Sequence, residues 1–444
     1  MVVAEQSLAI RQQMRERISD ARGRSDALFA IVRAEAMYER PIPERHRLIF
    51  YLGHLEAFDW NLLRDRALGI KSFHPDFGRL FAFGIDPVGG GLPTDQPSDW
   101  PSLTAVQDYV KEIRATVDEE LRRGIFEPNP QLQDGTSLDL LLNVAIEHRL
   151  MHLETLAYML HQLPFDQKID QASAPVVTSS PVMHRMVEVP EGEATLGISR
   201  QSQDFSWDNE YERHTVKVPA FKIDQFMVTN RLYLDFMAAG AYETRAYWSD
   251  ADWDWKTSNQ ISRPVFWKNS GNRWLYRSMF EEISLPLDWP VYVSHAEASA
   301  YARWAGKSLP TEAEWHRAAY GTSDGEERNY PWGDKAPGPN SVNADFVRWD
   351  PIPVNALPAG QSAFGVHGTL GNGWEWTSTV FAPFSGFEPF QFYRGYSADF
   401  FDGKHFVMKG GSMRTAACML RPSFRNWFQP HYQYVYAGFR CVSR

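Results

Sequence analysis

Cysteine is scarce in this chain: only Cys418 and Cys441 occur in 444 residues. That excludes a disulfide-dense secreted scaffold. Long apolar runs are missing as well, so no stretch approaches transmembrane length. The opening MVVAEQSLAIRQQMRER turns charged too early for a signal peptide, and a cytoplasmic location is expected. Positive charge is in deficit, with 45 Lys and Arg against 55 Asp and Glu and a net charge of −10. That balance argues against general nucleic-acid or anionic-membrane binding. No GxxxxGK[ST], GxGxxG, CxxC or serine-elbow pattern is present to signal phosphate, dinucleotide, thiol-redox or hydrolase chemistry.

What the chain does have is length for two domains and many aromatic residues: 16 Trp, 18 Tyr and 28 Phe. Large rings fill cores, but they also line pockets for cations and planar ligands. Apolar periodicity predicts helices over about Ser7–Tyr38, Glu44–Leu68, Leu103–Gly124 and from a Thr136 or Ser137 cap to Gln162. Four helices with modest connections predict an up-down bundle over residues 1–165. A Pro/Ser-rich polar stretch, 166–184, reads as a linker. Residues 185–444 then change character, with short strand-like pieces, many Gly and Pro, tryptophan-rich loops, and two evident helices near Asn230–Ala239 and His295–Trp304. That predicts an irregular mixed α/β domain with much loop surface.

The bundle carries the chemistry-bearing pattern. In NVAIEHRLMHLETLAY, His148 and His152 stand four residues apart on one helix face, one turn from each other. In YLGHLEAFDWN, His54 lies on the apolar stripe of an earlier helix. Two nitrogens from one helix and a third from another make a facial metal site, with Glu56, Glu147 and Glu154 near enough in sequence to complete or orient it. Buried histidines satisfied by backbone carbonyls would show the same spacing. Three histidines suit zinc, while iron more often takes two and a carboxylate, so spacing leaves the metal open.

The second domain resembles the formylglycine-generating-enzyme (sulfatase-modifying factor) fold, an elaboration of the C-type-lectin fold. The resemblance rests on FKIDQFMVTNRLYLDFM, PVYVSHAEASAYARWAGKSLPTEAEWHRAA, YPWGD, GNGWEWT, KGGS and AGFR. The cysteine pair that follows GGS in formylglycine-generating enzymes is absent, so that oxidation is not expected. The first domain resembles the DinB-like bundle, whose HxxxHxE motif matches His148, His152 and Glu154. The fusion of the two looks like the sulfoxide synthases of ergothioneine and ovothiol biosynthesis and the related selenoneine synthases. The resemblance implies an Fe(II) cofactor on His54, His148 and His152. It also implies use of O2, with hercynine as the imidazole substrate and a thiol or selenosugar as the donor.

By the same resemblance FRNW nominates Asn426, Trp427 and the following Phe428 as substrate-binding. Trp374 and Trp376, in the general GNGWEWT motif, are expected in the core. A quaternary ammonium cannot donate hydrogen bonds, so aromatic faces and carbonyl oxygens must hold it. Family members that take γ-glutamylcysteine typically have an arginine-rich loop and an Asp after the FRNW tryptophan. Here DPVGGGLPTDQPSDWP has no arginine and Phe428 replaces the Asp. Without arginine forks a carboxylate-rich donor is poorly matched. Gly89, Gly90, Gly91, Thr94 and Asp95 instead suit a polyhydroxylated donor such as a selenosugar. Phe384 stands where an active-site tyrosine is expected, leaving Tyr393 and Tyr396 as candidate catalytic phenols. The selenoneine branch is therefore favoured, with a cysteine-type thiol donor as the alternative. A zinc-dependent DinB-type thiol transferase and a non-enzymatic binding module are the competing classes. The expected picture has imidazoles from two helices on one ion, with the rear domain roofing the cavity in aromatic rings.

Overall fold

A computed structural model describes residues 2–68, 71–82, 92–123, 136–171, 177–271 and 273–444. It divides into two compact units, Met1–Ala172 and Ser173–Arg444.

The first unit is helical, with α1 (Val2–Phe29), α2 (Leu48–Leu63), α3 (Pro75–Leu80), α4 (Leu103–Arg123) and α5 (Leu138–Gln162). The α4 helix buries the i, i+3, i+4, i+7 stripe of Val106, Tyr109, Val110, Ile113 and Val117 and turns its charges outward. The α5 helix is buried almost all round and so occupies the centre of the unit. Ser137 caps it, its Oγ accepting from Leu140 N at 3.2 Å. The α2 helix packs on both α4 and α5, and α1 lies along α5.

Two boundaries depart from the periodicity. The first helix stops at Phe29 instead of running to Tyr38, because the chain after it pairs with the segment beyond α5. Ile169 N donates to Ile31 O at 2.8 Å and Arg33 N to Gln167 O at 3.1 Å, and only a 3-10 turn, Ala34–Tyr38, follows. The second helix is shorter than Glu44–Leu68: it starts at Leu48 and widens into a π turn over Arg64–Leu68.

The second unit contains α6 (Asn230–Ala238), α7 (Asp250–Ser258), α8 (His295–Trp304) and α9 (Glu312–Tyr320). Its strands are β1 (Met186–Val189), β2 (Gly192–Leu196), β3 (His214–Val218), β4 (Phe221–Asp224), β5 (Trp267–Ser270), β6 (Arg273–Arg277), β7 (Glu282–Ser284), β8 (Trp374–Val380), β9 (Phe406–Lys409), β10 (Asn426–Phe428), β11 (Ala437–Gly438) and β12 (Val442–Ser443). They form small sheets in the orders β1-β4-β12, β10-β9-β8-β11 and β5-β6-β7, with β2-β3 as a hairpin. One apolar cluster joins Val189, Val218, Phe221 and Ile223 to Ala318 of α9. A second gathers Trp315, Tyr320, Val342, Leu370 and Leu420. Trp374 and Trp376 are 2% and 0% exposed, core residues as expected. The indole of Trp376 donates to Val293 O at 2.9 Å.

Between the two tryptophans, Glu375 is buried and bonded twice by the Arg440 guanidinium at 2.6 Å, with Trp315 Nε1 at 2.9 Å. A buried carboxylate needs such a set of donors. Gly371 adopts φ +71°, and a Cβ there would meet Asn343 O at 2.5 Å, so this turn of the GNGW motif requires glycine.

Candidate metal centre and aromatic strand

His54 of α2 and His148 and His152 of α5 come together in the first unit, buried at 4%, 3% and 6% exposure. Their ligand nitrogens all lie within 4.8 Å of one another. His152 Nε2 is 3.2 Å from His54 Nε2 and 3.0 Å from His148 Nε2. Among the described residues the cluster contains histidines alone.

The tautomer of His54 follows from its other nitrogen. Nδ1 lies 2.7 Å from the Phe81 carbonyl oxygen, an acceptor, so Nδ1 carries the proton and Nε2 presents a lone pair to the cluster. That contact rests on a glycine. At Gly53 a Cβ would stand 2.5–2.6 Å from three carbons of the Phe81 ring. Phe50 stacks on His54 at 4.8 Å and 21°, and Phe58 on His148 at 3.4 Å and 13°.

Burial, helped by nearby cationic groups and opposed by the Phe81 carbonyl, lowers the His54 pKa to about 4. Burial and neighbouring positive groups hold His148 and His152 well below the ordinary imidazole value. All three are therefore neutral near pH 7, the form in which imidazole ligates a metal. Neutral nitrogens converging at 3.0–3.2 Å, with the His54 lone pair turned inward, are suited to hold a cation.

The carboxylates considered as helpers lie elsewhere in the unit. Glu56 faces Arg149 Nη1 at 2.9 Å and Arg114 Nε at 2.7 Å, so it does not complete the metal site. Glu147 and Glu154 are buried on α5 but supply no oxygen to the cluster.

In the donor loop, Gly89, Gly90 and Gly91 lie outside the described residues. Asp95 is engaged by Arg40, by Arg47 Nε at 3.0 Å and by Trp100 Nε1 at 2.7 Å. Its burial pushes its pKa up, yet these partners hold it below the usual carboxylate range. Arg40 also reaches Pro93 O at 2.8 Å and Arg47 reaches Asp95 O at 2.7 Å. The described Pro93–Asp95 part of this loop is thus held by two arginines from before α2, which sequence spacing did not reveal. Trp100 in turn packs on Phe50 at 5.9 Å, one ring away from His54.

In the second unit Asn426, Trp427 and Phe428 form β10, the edge of its sheet, opposite Met408, Val407 and Phe406. The half-buried Trp427 ring stacks on Phe381 at 4.2 Å and 6°. Tyr396 meets it edge-on at 5.4 Å and Phe400 lies 5.6 Å away. Tyr396 itself stacks on Trp207 at 3.9 Å, with Tyr393 5.7 Å from it. Asn426 Oδ1 accepts from Trp427 N at 2.8 Å, and Phe428 stacks on Tyr432 at 5.1 Å. Phe384 is not part of this cluster; it lies 4.0 Å from the Arg425 guanidinium and 4.4 Å from the His214 ring. Arg425 also bonds Glu312 of α9 at 2.9 and 3.1 Å, which fixes the start of the strand.

Residues 17–156 match the DinB superfamily, and residues 173–444 match the sulfatase-modifying factor enzyme 1-like domain. The chain is 42% identical to hercynine oxygenase of Mycolicibacterium thermoresistibile over 253 residues, 56% of this chain and 56% of that protein. It is 36% identical to hercynine oxygenase of Mycolicibacterium smegmatis over 306 residues, 67% of this chain and 70% of that protein. Ergothioneine biosynthesis protein 1 of Neurospora crassa is 28% identical over 494 aligned positions, 92% of this chain and 55% of that protein. The chain thus spans little more than half the length of several relatives it matches.

Proposed function

The chain belongs to the ergothioneine and ovothiol sulfoxide synthase family, a DinB bundle followed by a sulfatase-modifying-factor-like domain, and on that premise we propose that it is a nonheme Fe(II), O2-dependent enzyme that joins sulfur or selenium to the imidazole carbon of hercynine. The observation that carries the reading is the convergence of three buried, neutral imidazoles on one point. An iron(II) ion held by His54, His148 and His152 would supply open coordination positions at which donor, imidazole and dioxygen are brought together. The chain's own residues do the rest. The Phe81 carbonyl keeps the proton of His54 on Nδ1. Phe50 and Phe58 fix the planes of two ligand rings. Trp427, Tyr396 and Phe400 offer aromatic surface suited to a quaternary ammonium, and the Asn426 side chain offers a polar contact for the carboxylate end of the same molecule.

For the donor we favour a selenosugar over a cysteine-type thiol. Phe428 in place of an Asp removes a partner for a donor ammonium, and the Pro93–Asp95 stretch turns Arg40 and Arg47 onto itself. Tyr393 and Tyr396 are the proposed phenols for proton delivery. The test is anaerobic reconstitution of the full chain with Fe(II), then incubation with hercynine, O2 and either cysteine or a selenosugar, with products weighed by mass spectrometry. A selenium adduct formed in preference to a sulfoxide is the expected result. Equal or greater turnover with cysteine overturns the donor assignment, and oxygen-independent chemistry with zinc overturns the reaction class.

A further inference from the structure

We propose that Arg149 is the positioning residue of the histidine triad, acting as the register clamp between the two helices that supply its nitrogens; the proposal rests on the reading of the triad as a metal site. Arg149 follows His148 in sequence, so its side chain leaves α5 about 100° round from that ligand and points to a different face. From there the guanidinium reaches α2 at three places within little more than a turn. Nη2 donates to the Leu55 carbonyl at 3.1 Å and to Asp59 Oδ2 at 2.5 Å. Nη1 and Nη2 lie 2.9 Å from the two oxygens of Glu56. Leu55 is the neighbour of His54, so the clamp joins the residue after one ligand to the residue after another.

The other helices converge on the same point. Arg114 of α4 bonds Glu56 at 2.7 Å and holds Asp26 of α1 with two bonds of 2.8 Å. Arg149 Nη1 also reaches Ser25 Oγ of α1 at 3.3 Å. Arg149 and Glu56 are 2% and 1% exposed. Burying so many charges is costly, and well-packed apolar side chains would hold a bundle together as well or better. What an apolar core would not supply is directional register. A planar fork bonded at fixed angles permits one setting of α2 against α5, whereas a slip of a single residue moves a ligand by about 1.5 Å. Metal sites tolerate about 0.2 Å.

The test uses the full chain and three variants. Anaerobic titration with Co(II), read by its ligand-field absorption, should give one site in the parent and none in His148→Ala. Arg149→Lys keeps a charge but loses the fork. It is expected to retain its far-ultraviolet circular dichroism, bind Co(II) at least about 10-fold more weakly, and show shifted bands even at saturation. Parent affinity and parent bands in Arg149→Lys overturn the clamp. If Arg149→Lys loses its helical signal, Asp59→Asn, which leaves Leu55 and Glu56 on the guanidinium, takes its place: weaker binding with shifted bands supports the clamp and unchanged values overturn it. A parent chain that binds no Co(II) removes the metal reading itself, a result distinct from failure of the clamp.

Discussion

At the scale of single residues, the site depends on what stands behind the ligands as much as on the ligands. The spacing of His148 and His152 and the apolar setting of His54 were readable in the sequence, since helix periodicity alone puts them on inward faces. The Phe81 carbonyl was not, because it comes from a residue 27 positions away with no local pattern. Gly53 shows how the two levels join. In a helix interior, Gly to Ala normally stabilises by about 1 kcal/mol. At Gly53 the new methyl would meet the Phe81 ring at 2.5 Å, and overpacking of a buried site costs about 1–3 kcal/mol. The clash wins, so Gly53→Ala should lower thermal stability. By displacing Phe81 it should also release His54 Nδ1 and weaken metal binding. An unchanged metal affinity together with a raised Tm would show that Phe81 moves aside freely. At the ligands, replacing His54, His148 or His152 by Ala should reduce bound metal to background in elemental analysis. Full occupancy in any one variant removes that residue from the set.

At the scale of elements, strong end signals were legible and tertiary pairings were not. Ser137 before Leu138 and the dense apolar run to Gln162 define α5 from either direction. The α9 helix lacked a long periodic stretch, yet its capping box was already in the text as Thr311-Glu312-Ala313-Glu314; Thr311 Oγ1 accepts from Glu314 N at 3.2 Å. The early end of α1 had no such mark, because strand-like pairing with 167–169 decides it. The residues of β10 stood out by resemblance only, as substrate-binding and not as a strand, and the rings around Trp427 come from distant segments, Phe381, Tyr396 and Phe400. Trp427 contributes ring surface within the second unit and supplies no metal ligand. On the proposed function, Trp427→Ala should raise the hercynine Kd or KM by about 10-fold or more, the scale of a lost cation–π contact plus its apolar surface, while the metal content matches that of the parent chain. Unchanged hercynine affinity, measured by calorimetric titration, would assign the ring to packing.

At the scale of the whole molecule, the sequence turns from helical periodicity to short strands, and the structure divides into two compact units, Met1–Ala172 and Ser173–Arg444. Neither composition nor periodicity foretold how many titratable groups the second unit buries. His295 is held at a pKa of about 4, chiefly by burial, with its ring stacked 3.8 Å from Phe406. Burial also lowers His316 and, less completely enclosed, His184 and His367. Each takes up its proton in the folded chain at a lower pH than in the unfolded chain, where uptake falls near pH 6.5. Above that value both states are neutral and the groups leave stability unchanged. Below it the unfolded state binds more protons, so stability falls with pH, and for His295 the loss continues to about pH 4 and then levels off. Glu312 and Glu314, whose arginine partners outweigh burial and hold them below the usual carboxylate range, extend the loss at still lower pH. Urea unfolding of the full chain followed by tryptophan fluorescence should accordingly show a midpoint that declines from about pH 6.5 downward. His295→Gln, which keeps a donor for the Thr377 carbonyl but does not titrate, should lessen the slope between pH 6.5 and 4. An identical slope in that variant would mean that His295 gains its proton in the folded chain as readily as in the unfolded one.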